Sequence, residues 1–148
     1  MIGAMIDMAA FRDEVGDVGP VCVRGGGTRW SVGAVPGGPS DVRIVSAPTG
    51  IESVQPAEMT VVVGAGTTVA DLAAALAEHG QEVSLDGPEG ATVGGSLMVG
   101  RDPLRRGRLG EVADVLLQAD CVGADGWPFT GGGPTVKNVT GFDLCRLL

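Results

Sequence analysis

The chain has 148 residues, a formal charge of -8 and 26 glycines. That length fits one domain, and a mean hydropathy of +0.27 with 19% charged residues excludes intrinsic disorder. A pI near 4.4 excludes a protein that coats nucleic acid, which needs a cationic surface, and no apolar stretch approaches the ~20 residues needed for membrane insertion.

In chain order, Met5 to Val15 is expected to form a short helix, with Asp7 as cap and Gly16 as stop. Val21 to Val23 reads as a buried strand running into Gly25-Gly26-Gly27, residues 31–40 as loop, Val42 to Val45 as a second strand and Pro48-Thr49-Gly50 as a turn. Met59 to Val63 is a β-branched strand broken by Gly64-Ala65-Gly66. Thr68 and Asp71 form a capping box for a helix whose face is Val69, Leu72, Ala73 and Leu76, ending at Gly80. Val93 to Val99 suits a short helix and Arg101 to Gly110 a basic loop. Val112 to Val122 reads as strand, turning at Ala124-Asp125-Gly126 into Trp127 to Thr130 as a hairpin.

Glycine is the outlier, at well over twice its usual share of about 7%. The densest cluster is Val23-Arg24-Gly25-Gly26-Gly27-Thr28-Arg29. Successive glycines let backbone N–H groups converge without Cβ interference, and such a nest binds anionic oxygens. Thr28 adds a hydroxyl, while Arg24 and Arg29 add charge, and a charge-assisted hydrogen bond contributes roughly 1.5–3 kcal/mol. The same pattern suits a tight turn with two solvated arginines, and both readings stand at this level. Residues 86–96 present amides and two hydroxyls at an expected helix start, a position that favours anions. An ordinary helix-entry loop is the alternative.

Two lookalikes fail on chemistry. In Gly64-Ala65-Gly66-Thr67-Thr68-Val69 the third glycine of a dinucleotide fingerprint is replaced by Val69, which would block close helix–strand packing. In Gly131-Gly132-Gly133-Pro134-Thr135-Val136-Lys137-Asn138, Val136 and Asn138 replace the P-loop glycine and magnesium hydroxyl. His79, at the end of a helix, suits the dipole there better than catalysis. The Arg101, Arg105, Arg106 and Arg108 cluster reads as a solvated loop, or as a contact for a cofactor phosphate or an acidic partner. No catalytic residue can be nominated, and no metal-ligand cluster is present. Cys22, Cys121 and Cys145 form no CxxC and suggest a reducing compartment. With no basic leader region, a cytoplasmic location is expected.

The ordered set VRGGGTR, VVVGAGTTVADLAAAL, PEGATVGGSL and VKNVTGFDLCRLL resembles the FAD-binding domain of the vanillyl-alcohol oxidase/p-cresol methylhydroxylase (PCMH-type, FAD-linked oxidase) family, and within it the FAD-binding subunits of glycolate oxidases. The likeness covers roughly residues 18–148. It implies an α+β fold of two subdomains, about 1–47 and 54–148, with FAD between them. It places the FAD pyrophosphate on Arg24, Gly25, Gly26, Gly27, Thr28 and Arg29. Pro88, Ala91, Thr92, Gly94, Gly95 and Ser96 would lie along the flavin and its ribityl-phosphate arm. Lys137, Asn138, Gly141, Phe142, Asp143 and Leu144 would pass near the flavin ring. Thr28 stands where covalent-flavin relatives often carry histidine, so non-covalent FAD is expected.

The resemblance stops at Leu148, where related chains continue into more of the FAD domain and a substrate domain. The chain is therefore expected to be a partial domain, incomplete at its C-terminus. The implied function is the FAD-binding module of a flavin-dependent oxidoreductase acting on a 2-hydroxy acid such as glycolate, or a related alcohol. The alternative is a non-catalytic fragment or interaction subunit of a split flavoprotein. Expected partners are FAD, a downstream polypeptide or other oxidase subunits, with no nucleic acid.

Overall fold

Asp7 starts the first helix, α1 (Met8–Val15), by accepting the Ala10 N–H at 2.9 Å. Gly16, at φ +63°, ends it as expected, since few other residues adopt that conformation without strain. The computed structural model describes residues 6–31, 42–133 and 145. Strand β1 (Val21–Val23) pairs in parallel with β2 (Arg43–Val45), Val21 opposite Arg43 and Val23 opposite Val45. Arg43 ties this sheet to the helix. Its guanidinium donates to the carbonyls of Glu14 and Val15, each at 2.7 Å, and of Val18 at 3.2 Å. Helix carbonyls at that end have no intrahelical partner, and a cation there also suits the dipole.

Strands β3 (Ile51–Gln55) and β4 (Thr60–Val63) form an antiparallel hairpin with a register shift between Ile51 and Ser53. Thr68 caps α2 (Val69–Ala77), accepting the Asp71 N–H at 3.0 Å while its hydroxyl donates to the Asp71 carboxylate at 2.7 Å. Helix α3 (Val93–Val99) ends on left-handed Gly100. Short helices α4 (Arg106–Leu109) and α5 (Val112–Val115) lead to an antiparallel hairpin of β5 (Gln118–Val122) and β6 (Pro128–Gly132).

The core gathers Leu72 and Leu76 of α2, Leu85, Val93 of α3 and Val112 of α5. Ile51 and Val54 of β3 and Val61 and Val63 of β4 pack against it. Each such side chain, fully buried, contributes roughly 1.5–3 kcal/mol. The chain is α+β, as expected.

Three expectations change. Residues 51–55 form a strand where the sequence pattern announces none. Val112 to Val122 is not one strand: α5 occupies its first part because the Asp102 carboxylate accepts the Val112 N–H at 3.1 Å and fixes a helical start. The basic loop contains α4, and three of its four arginines are paired. Arg105 lies 2.6 Å and Arg108 3.4 Å from Glu82, and Arg106 lies 2.8 Å from Asp102. No helix of the described residues is long and apolar enough to cross a membrane. The Val136–Leu148 segment falls almost wholly outside the described residues.

Candidate functional site

The glycine loop leaves the end of β1, where the Arg24 N–H still donates to the Val45 carbonyl at 2.9 Å. Gly27, at φ +67°, then turns the chain, and the Trp30 N–H closes the turn on the Gly27 carbonyl at 3.2 Å. Among the described residues, the backbone N–H groups from Gly25 to Arg29 have no hydrogen-bond acceptor. Five such donors on one short glycine loop are compatible with binding an anionic group.

A second loop closes over the first. A Cβ on Gly25 would strike the Thr92 hydroxyl, and one on Gly26 would strike the Gly90 carbonyl. The glycines therefore serve two purposes, since they free the amides and also let residues 90–92 lie against the nest. Arg29 spans the same gap, donating to the Asp86 carbonyl at 3.4 Å.

The cleft between the loops is lined by the whole Arg24–Arg29 segment and by Ala91, Thr92, Gly95 and Ser96. Val23, Trp30 and Val99, which the sequence reading did not nominate, add an apolar wall. Trp30 had a signal: it directly follows Arg29. Pro88 and Gly94 do not line the cleft. Pro88 accepts the Ala91 N–H at 2.9 Å, and Gly94 lies where a Cβ would come within 2.8 Å of the Ala65 Cβ. Lys137, Asn138, Gly141, Phe142, Asp143 and Leu144 lie outside the described residues.

At the start of α3 the second loop offers hydroxyls rather than amides. The N–H groups of Val93 and Gly94 donate to Thr67 and Ala65 carbonyls at 2.9 and 2.8 Å, and that of Gly95 donates to the Thr92 hydroxyl at 3.2 Å. The start of α3 is thus closed by its own chain. Ser96 differs: it is 3% exposed, and its hydroxyl is buried without a partner. A buried unpaired hydroxyl costs about 1–3 kcal/mol, and this one lies on the cleft wall.

The lookalike fingerprint is structural. The Val69 N–H, at the start of α2, donates to the Ala91 carbonyl at 2.8 Å, and Thr68 bridges Thr92. Gly64 and Gly66 sit against the backbone of Pro48 and Ala47. The amides of Gly64, Gly66, Thr67, Val69 and Asp71, around the start of α2, are therefore occupied. No group of three or more His, Cys, Asp or Glu side chains among the described residues could hold a metal ion.

At about 140 Å³ the cleft is smaller than the roughly 300–1,000 Å³ of sites that enclose a drug-sized ligand. It suits one part of a dinucleotide. Unbonded amides, two arginines and an orphaned hydroxyl fit a diphosphate and its adjoining arm, so the residues present are compatible with FAD.

Comparison with known proteins agrees. Over 130 residues the chain is 36% identical to a D-lactate dehydrogenase of Archaeoglobus fulgidus, covering 87% of this chain and 29% of that one. Over 138 residues it is 32% identical to the glycolate oxidase subunit GlcE of Escherichia coli K12, covering 90% of this chain and 39% of that one. The chain thus spans well under half the length of either relative. No solved structure matches it. Residues 16–130 match the family model described as FAD binding domain. On that match, which takes in both loops of the cleft, the chain belongs to the FAD binding domain family of the FAD-linked oxidases.

Proposed function

We propose that this chain is the FAD-binding part of a flavin-dependent oxidoreductase acting on a 2-hydroxy acid. The observation that carries the reading is one cleft lined by both the Gly25–Arg29 loop of unbonded amides and Ser96, whose buried hydroxyl has no partner. The names of the relatives, a lactate dehydrogenase and a glycolate oxidase subunit, support the substrate class. The FAD, when bound, supplies the hydride acceptor. The chain's own residues bind and orient it: the Gly25–Arg29 loop with the Arg24 and Arg29 guanidiniums receives the diphosphate, and Thr92 and Ser96 offer hydroxyls beside it. Lys137, Asn138 and Gly141 to Leu144 complete the site near the flavin ring in this proposal.

FAD is held non-covalently in this reading, because no histidine or cysteine lines the cleft among the described residues. The catalytic base and substrate contacts come from further polypeptide or another oxidase subunit. The two-subdomain division is also part of the proposal. The pairing of β3 with β4 supports a break before Ile51.

Titration with FAD tests the reading. Flavin absorption that stays with the protein through gel filtration, and leaves it on acid precipitation, is the expected result. No FAD binding, even with downstream sequence restored, overturns it. A second reading, an interaction subunit of a split flavoprotein, is favoured by the exposed strand residues Val23, Ile44, Val62 and Phe129. A cofactor-free, cooperatively unfolding monomer would count against it.

A further inference from the structure

Arg24 is held by an aromatic ring rather than by a carboxylate. Its guanidinium carbon lies 5.4 Å from the centre of the Trp30 ring. It makes no ion pair among the described residues, in a chain with 18 acidic side chains. Its Nη2 and Nε atoms come within 3.0 and 3.1 Å of the point a Cβ on Gly27 would occupy, so the side chain folds back over the nest. Trp30 is itself fixed to that nest through the bond from its N–H to the Gly27 carbonyl.

We propose that Trp30 is a positioning residue for phosphate binding: its ring holds the Arg24 guanidinium over Gly27, so an incoming diphosphate meets a charge already in place. The inference rests on the FAD reading above. The physical ground is preorganisation. A free arginine side chain must lose rotamer freedom when it grips a phosphate, and one already stacked on a ring has lost much of it beforehand. Cation–π attraction also leaves the guanidinium edge, with its N–H donors, open to an anion.

The test is a double-mutant cycle on the full chain with Trp30→Leu, Trp30→Phe and Arg24→Ala, titrated with FAD, inorganic pyrophosphate and riboflavin. Trp30→Leu is expected to weaken FAD and pyrophosphate by about two- to fivefold, the usual worth of an exposed cation–π contact. Trp30→Phe should restore most of that loss. Riboflavin, which has no phosphate, should bind as before, and in the Arg24→Ala background Trp30→Leu should change nothing further. Equal losses with and without Arg24, weakened riboflavin binding or no loss at all would overturn the inference. If FAD fails to bind but pyrophosphate shows the coupled losses, the FAD reading falls and the positioning role stands. If neither binds, both fall.

Discussion

The carbonyl oxygen of Gly90 occupies the space that a Cβ on Gly26 would need. Two loops 64 positions apart in the chain therefore meet backbone to backbone beside the cleft, and the contact is compatible only with glycine at residue 26. Gly26→Ala is expected to lower both FAD affinity and thermal stability, since overpacking against backbone costs roughly 1–3 kcal/mol. Gly107, in α4, is the control: a Cβ there meets nothing, and its φ is not positive. Gly107→Ala should raise stability by roughly 0.5–1 kcal/mol and leave FAD binding unchanged. Thermal unfolding and flavin titration of the two variants check both outcomes.

Ser96→Ala should separate binding from stability by sign. Removing a buried hydroxyl that has no partner is expected to stabilise the unliganded protein by about 1 kcal/mol. If Ser96 donates to the cofactor arm as proposed, the same change should weaken FAD binding. Denaturant unfolding without FAD and titration with it are the two measurements, and the expectation fails if both move in the same direction.

Arg43→Met keeps the apolar stem and removes three donors from the end of α1. A loss of about 1–3 kcal/mol is expected from the unpaired carbonyls and the lost cation. Amide hydrogen exchange should show the loss first in α1, with the core around Leu72 protected as before.

The acid limb of stability should involve Asp102. The side-chain hydrogen bond from Arg106 holds its carboxyl below the usual value, and the Val112 N–H adds to this, while burial opposes. A carboxyl whose pKa is lowered on folding contributes stability above its unfolded pKa and loses it as pH falls through the folded one. The start of α5 should therefore loosen as pH drops below about 4. Urea unfolding of Asp102→Asn should show a flatter pH dependence in that range.

The glycine loop is legible because successive glycines free the backbone locally, whatever surrounds them. The Thr68 cap of α2 is legible for the same reason, although the Asp71 carboxylate accepts the Thr68 hydroxyl rather than the backbone N–H of a full capping box. What escaped depended on distant partners. Ile51–Gln55 forms a strand only because β4 lies beside it, and its bulge interrupts the alternation that would have revealed it. Val112 to Val115 is apolar enough for strand or helix, and a carboxylate ten positions earlier decides between them. The amides of residues 93–95 looked available because their acceptors, Thr67, Ala65 and the Thr92 side chain, are identified only by tertiary contact.

The bond from the Val69 N–H to the Ala91 carbonyl, with the Thr68–Thr92 bridge beside it, welds the first turn of α2 to the far wall of the cleft. Leu72, the most deeply buried of the core leucines, lies one turn further along the same helix. One cleft wall is thus joined to a helix anchored in the core. Repacking beneath Leu72 should tune how tightly the cofactor is gripped, through a lever that touches no cofactor atom.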